Sequence, residues 1–333
     1  YYKKNYSDGE SYIIDFKEKT YSEYDLGKLT AKKLNLKLNK VDYIDDKNQI
    51  IKVLSDIDEP LGNASLIASC QIFNYIKKKN IKVILTGDGG DELFGGYPTY
   101  QSEYYYNIFK FLPMPLFKIL KYLINFLPVS KNRISFDYKV KKLLKYIKKN
   151  PLYSHPRWRE PISFDDFPNL LINSKNLNYK NYDPFENYNS SYQDANMLDN
   201  KNKMMFADFQ NYLLNDHLRK IDRSSMLNSV EARCPFLDYR IVNFAFSINS
   251  SYKVNFLELK KILKHIGKKT LDKKNIKSAK KGLTPPINYW IDDYFKEYLY
   301  DNLNSKDNYL FSLFNKENLN EIFGQHFNRK KDY

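Results

Sequence analysis

The stretch VILTGDGGDELFGGY, residues 83–97, constrains this chain more than any other part of it. A short β-type run, Val83–Leu85, meets Thr86 and Gly87, and the carboxylates Asp88, Asp91 and Glu92 follow at once. Of the chain's 11 glycines, Gly87, Gly89, Gly90, Gly95 and Gly96 all fall here. Glycine serves where φ must be positive or where backbone has to approach a ligand closely. An apolar strand ending in a Gly-rich turn puts that turn at the carboxyl edge of a parallel sheet, where open α/β sheets bind ligands. Carboxylates this dense repel one another, and a divalent cation with phosphate oxygens is the simplest compensation. The plainer reading is a solvated acidic turn in which Asp91 caps the helix starting near Glu92.

Upstream, strand and helix patterns alternate. Ser11–Phe16 and Lys37–Tyr43 read as strands, Ser22–Leu34 and Ser65–Lys79 as helices, and Ile50–Ile57 begins another helix that Asp58–Asn63 breaks. Such alternation implies an α/β fold with a doubly wound parallel sheet. Only three strands are visible, fewer than such a sheet wants. From 100 to about 160 the chain reads as helical, basic and aromatic. Asn173–Lys203 is rich in Asn, Tyr, Ser and Asp with little periodicity and reads as a loop or insertion. Helical spacing resumes at Phe206, Phe209, Leu213, His217 and Ile221.

The formal net charge of +15 invites nucleic-acid or anionic-membrane partners. Yet nearly all the positive charge is lysine spread along the chain, without the arginine and aromatic interleaving of a nucleic-acid surface. Against that background, Arg219, Arg223, Arg233 and Arg240 crowd one segment, which suggests a use for their bidentate fork. An internal salt-bridge lattice with Asp222, Glu231 and Asp238 explains them equally well. The most apolar stretch, Ile108–Val129, is interrupted by Lys110, Lys118, Lys121 and prolines, so a membrane span is not expected, whereas docking on a membrane surface stays open. Cys70 and Cys234 make neither a disulfide framework nor a zinc site, which fits a reducing, cytoplasmic setting. The four histidines are scattered and read as structural.

Two motifs carry a resemblance. GDGGDELFGGY resembles the acidic loop of the synthetase domain of glutamine-dependent asparagine synthetases, an adenylate-forming amidotransferase family, and LRKIDRSSMLNSVEARCPFLDYR at 218–240 resembles that family's second signature. The resemblance implies a partial nucleotide-binding α/β core of the adenine-nucleotide alpha-hydrolase type over 1–100. A helical, loop-rich insertion over 101–204 and a helical part completing the active site over 205–333 follow. The family's S-G-G-x-D-S loop and its amino-terminal glutaminase domain have no counterpart in these residues, so the isolated polypeptide is expected to be inactive.

What the resemblance implies chemically is ATP-dependent adenylation of a carboxylate, aspartate first among the candidates, followed by amidation with ammonia delivered by a glutaminase domain. The cofactors are ATP and Mg2+. Asp91 is the expected metal ligand and Asp88 the expected base. Thr86, Gly87, Gly89, Gly90 and Glu92 are expected at the nucleotide, and Ile14 against the adenine. Periodicity alone makes Lys260 a solvated lysine of the helix Leu257–Ile266; the resemblance makes it the cation on the adenylating phosphate. Lys281, in the basic turn Lys280–Gly282, is expected near the phosphates. A homodimer is allowed, while nucleic acid is not an expected partner. The alternatives are an amidotransferase acting on another carboxylate and a non-catalytic scaffold.

Overall fold

The computed structural model describes residues 9–125, 136–160, 163–164, 167–172, 182–278, 282–291, 295–305 and 308–328. Strand β1 (Glu10–Asp15) leads into helix α1 (Tyr24–Leu34), which returns the chain to β2 (Lys37–Asp42), parallel to β1 with Tyr12 beside Asn39 and Ile14 beside Val41. A helix is the usual crossover for parallel strands. Asn35, in the left-handed region at φ 49°, closes α1 and turns the chain into β2. Asp46 caps α2 (Lys47–Ser55) by accepting from the Gln49 N–H at 2.9 Å. Helix α3 (Ser65–Lys78) then leads to β3 (Val83–Leu85).

The chain divides into two compact units, Tyr1–Gln101 with Ala195–Ile287, and Ser102–Asp194 with Asn288–Tyr333. In the first unit, β3 pairs in parallel with β4 (Glu231–Arg233), a strand from the second motif. Helix α4 (Gly90–Phe94) follows β3. The later piece adds α5 (Asn200–Asp208), the π-helical segment Phe209–Leu218, α6 (Arg219–Met226), α7 (Tyr239–Ser247), α8 (Lys261–Gly267) and α9 (Lys273–Lys277).

The parallel pairing agrees with the α/β expectation, but the strands do not form one sheet: β1–β2 and β3–β4 are separate ribbons among the described residues. A shared core joins them. Phe73, Ile76, Ile221 and Val230 form a buried cluster, and both Tyr12 of β1 and Ile84 of β3 pack against it. A second cluster, Leu93, Phe94 and Ala245, is covered by Phe236, Ile241 and Ile262.

The second unit holds helices Ser102–Phe109, Met114–Asn125, Phe136–Tyr146, Pro151–Arg157 and Glu186–Asp194, around a core of Phe117, Leu144, Tyr146, Ile147 and Trp158. The expected loop over Asn173–Lys203 is therefore corrected from 182 onward; residues 173–181 lie outside the described residues. Residues 182–203 contain Glu186–Asp194 and the start of α5, which Asp199 caps by accepting from the Asn202 N–H at 3.0 Å. Polar composition concealed these helices, because helix ends and capping residues are themselves polar.

Candidate active site

Four of the five glycines of the acidic turn have a steric reason. The Thr86 N–H donates to the Arg233 carbonyl at 2.8 Å, so β4 still holds the chain where the turn begins. Gly89 adopts φ +87°, and a Cβ there would stand 2.4 Å from Leu237 Cδ2. A Cβ on Gly90 would stand 3.3 Å from Cε2 of the Phe236 ring. The Pro-Phe-Leu of the second motif thus clamps the glycines of the first. Gly95 adopts φ +72° and would meet Val254 Cγ2 at 2.1 Å. Gly87 faces open space, with nothing within 4 Å of a Cβ position, so a ligand can reach its backbone.

Asp91 does not cap α4; Gly89 occupies the cap position, and Asp91 lies in the first turn. Its Oδ1 takes the Lys260 ammonium at 2.7 Å. Lys260 is not on a helix face, as periodicity suggested. It sits in the left-handed region at φ 52°, just before α8. Two backbone bonds hold it there: its own N–H to the Gly95 carbonyl at 3.1 Å, and the Lys261 N–H to the Lys253 carbonyl at 2.8 Å. A non-glycine residue in this region carries strain that surrounding contacts must impose. Here they aim the lysine at the acidic turn.

Thr86, Gly87, Asp88, Gly89, Asp91 and Glu92 all line one cavity of about 490 Å³, within the usual range for small-molecule sites. Its apolar wall is Ile72, Phe73 and Ile76 of α3 together with Ile84 and Ile221. Ile14 is absent from that wall: it is a core residue, 3 % exposed, and Tyr12 from the same strand lines the cavity instead. Glu92 is 2 % exposed and accepts from the Tyr97 hydroxyl at 2.6 Å. Burial pushes the Glu92 carboxyl above its ordinary range, against the pull of the Tyr97 bond, with Asp91 and Asp208 nearby adding to the rise. Asp88 lies beside Cys234, whose thiol burial pushes up further than that carboxylate does. Burial pushes the Cys70 thiol up to about 12, and neither cysteine has a nucleophile's surroundings. Lys281 lies outside the described residues; its neighbours Gly282 and Leu283 line the cavity.

Sequence reasoning missed Lys220, His217 and Tyr97, all on the cavity wall. Lys220 is buried, on a stripe with Leu213, His217 and Ile221 at spacings of four, seven and eight residues. A lysine and a histidine between Leu213 and Ile221 on one helical stripe were the available signal. The π-helical segment just before α6 carries Leu213 and His217, and such widened turns recur at functional sites.

The arginines of the second motif are structural ties. Arg219 pairs with Glu59 at 2.5 Å and Arg223 with Asp58 at 2.9 Å, both in the break between α2 and α3. Arg233 pairs with Glu231, and Arg240 holds Asp238 through two bonds of 2.8 and 2.9 Å. Asn63 donates to Asp216 at 2.7 Å and accepts from the Ser65 N–H, which fixes the start of α3. No group of three or more His, Cys, Asp or Glu positioned to hold a metal occurs among the described residues. A magnesium ion needs only one or two protein carboxylates when phosphates and water complete its shell, and Asp91 fits that description.

The family model described as asparagine synthase matches residues 3–333. Glutamine-hydrolyzing asparagine synthetase 1 of Bacillus subtilis is 27 % identical over 295 residues, covering 87 % of this chain and 44 % of the relative. A Mycobacterium bovis protein provisionally named a glutamine-hydrolyzing asparagine synthetase is 23 % identical over 289 residues, covering 84 % of this chain and 42 % of its own length. The chain thus spans less than half the length of these relatives.

Proposed function

Since the chain belongs to the asparagine synthase family, we propose that it is the synthetase part of a carbon–nitrogen ligase that uses ATP to amidate a carboxylate, with the aspartate β-carboxylate as the first candidate. The carboxylate attacks the α-phosphorus of ATP, giving an acyl-adenylate and pyrophosphate. Ammonia then attacks the acyl carbon, loses a proton, and AMP leaves.

One observation supports this reading above the others: Asp91, on the wall of the cavity among glycines, is paired with Lys260, which stands just behind that wall and outside the lining. Negative charge develops on the phosphates during adenylation, and a preorganised cation stabilises it best where the protein already holds that cation in place. Lys260 is held by the Gly95 carbonyl and can pass from Asp91 to a phosphate oxygen. Asp91 would then be the magnesium ligand, and bound magnesium supplies charge neutralisation across the phosphates. Backbone groups of Thr86, Gly87 and Gly89 face the nucleotide, whereas Gly90, expected there too, packs against Phe236 and is not part of the cavity lining. Asp88 takes the proton from the attacking ammonia. Lys220 supplies a cation for the acceptor's free carboxylate.

Aspartate-dependent exchange of pyrophosphate into ATP, measured on the full-length protein, tests the proposal. Asp91→Asn should abolish the exchange while leaving the thermal unfolding curve in place. Unchanged exchange in that variant removes Asp91 from the site, and exchange that no carboxylate stimulates overturns adenylation.

A further inference from the structure

Helix Met114–Asn125 is apolar on two sides. Phe117, Leu120 and Ile124 pack inward with Leu144, Ile147 and Trp158. Leu116, Ile119 and Leu123, three and four residues apart, form a second stripe that is 53 %, 56 % and 60 % exposed. The stripe beside it, Met114–Lys118–Tyr122 at spacings of four, is also exposed, and the end of helix Ser102–Phe109 and the turn after it add Ile108 and Phe111, the latter 80 % exposed. Isolated exposed apolar side chains are ordinary, but a contiguous set marks an interaction surface.

Charge identifies what covers it. From Tyr104 to Phe136 the sequence holds no Asp or Glu, whereas Lys110, Lys118 and Lys121 fall within the exposed set. The Lys110 Nζ lies 5.0 Å from the centre of the Phe111 ring and donates to Asn107 at 2.9 Å, so its charge borders the apolar surface. The cores of protein–protein interfaces are depleted of lysine. Helices lying in a bilayer interface instead set Leu, Ile and aromatic rings beside long-stemmed lysines whose heads reach the headgroups. The net charge of +15 adds a general attraction to anionic lipid. No helix among the described residues is long and apolar enough to cross a membrane, so the matching arrangement is in-plane.

We propose that the exposed face of Met114–Asn125, with Ile108–Phe111, docks on membranes through anionic phospholipid headgroups. Flotation of the full-length protein tests this, using vesicles of phosphatidylcholine with phosphatidylglycerol against phosphatidylcholine alone. Binding should favour the anionic vesicles by at least about tenfold at low salt and weaken as salt rises. The variant Leu116→Glu/Ile119→Glu/Leu123→Glu should lose at least about tenfold in binding, since charged groups cannot follow the stripe into the interface. Lys118→Glu/Lys121→Glu, which leaves the apolar stripe intact, should bind less and lose its salt dependence. Thermal unfolding and pyrophosphate exchange should stay as in the parent, because every altered side chain is exposed and outside the cavity. Equal flotation of all three proteins, or none by the parent, overturns the proposal. A vesicle-free dimer that the triple substitution splits would overturn it too, by assigning the face to a second copy.

Discussion

Gly96 and Asp91 compete for one space: a Cβ on Gly96 would stand 1.6 Å from the Asp91 Oδ1 and 2.6 Å from the Lys260 Cε. Unlike Gly89 and Gly95, Gly96 is not in the left-handed region, so its constraint is room rather than backbone conformation. A methyl group there must push the Asp91–Lys260 pair apart. Gly96→Ala should therefore reduce pyrophosphate exchange about 10²-fold or more, the scale of losing one preorganised charge partner. Overpacking should cost about 1–3 kcal/mol in denaturant unfolding. Gly62→Ala, where nothing lies within 4 Å, is the control and should change neither quantity.

The three lysines around the start of α8 should separate cleanly. Lys260 meets Asp91 at 2.7 Å, whereas Lys261 donates to the Ser251 carbonyl at 3.1 Å on an exposed surface. Lys260→Ala should slow adenylation by about 10²–10³-fold, and Lys261→Ala and Lys264→Ala should match the parent. Equal rates in all three variants would return Lys260 to the ordinary surface lysines.

Much of this arrangement was legible in the residues. The strand–turn–helix around Thr86–Glu92 could be read because glycine and carboxylate density has few structural explanations. Helix α3 could be read from its apolar spacing. Lys260 was invisible to periodicity: its position depends on a left-handed φ imposed by Gly95, a residue 165 positions earlier. Ile14 and Tyr12 share a strand and differ by one side-chain repeat, so which of them faces the cavity depends on how β1 packs, not on composition. The salt-bridge lattice could be read for Arg233 and Arg240, whose partners Glu231 and Asp238 lie two residues away. It could not be read for Arg219 and Arg223, because Glu59 and Asp58 lie in a break whose place in the fold no local pattern reveals.

Lys220 should act on the acceptor rather than on the nucleotide. It is a buried cation on the wall of a cavity whose other charged groups include Asp88, Asp91 and Glu92. Lys220→Met keeps the stem and removes the charge. It should leave Mg-ATP binding by calorimetry unchanged and raise the acceptor KM about 10–10²-fold, the scale of one hydrogen bond to a charged group. Lys220→Arg should recover part of that loss. A defect in ATP binding with an unchanged acceptor KM would place Lys220 at the phosphates instead.

Lys253 should give the protein a pH dependence of its own. It is fully buried, its Nζ donating to the Asn202 side chain at 2.8 Å and lying 5.1 Å from the centre of the Phe246 ring. Burial holds the ammonium down at about 8, and the Asp199 carboxylate offsets only part of the effect. Unfolding restores the ordinary lysine value of 10.5. Between those two values the unfolded chain keeps a proton that the folded chain has released, so the unfolded state binds more protons and stability rises with pH. Below about 8 both states are charged and the full cost of the buried ammonium remains, on the order of a few kcal/mol at about 1.4 kcal/mol per unit. Lys253→Met replaces this group with an apolar one of similar length, a change that is often neutral or stabilising for buried charges. Its advantage over the parent should therefore be largest near neutral pH and shrink steadily towards about pH 10. Denaturant unfolding of both proteins across that range gives the difference directly. A difference that stays constant would show that the Lys253 ammonium does not titrate there.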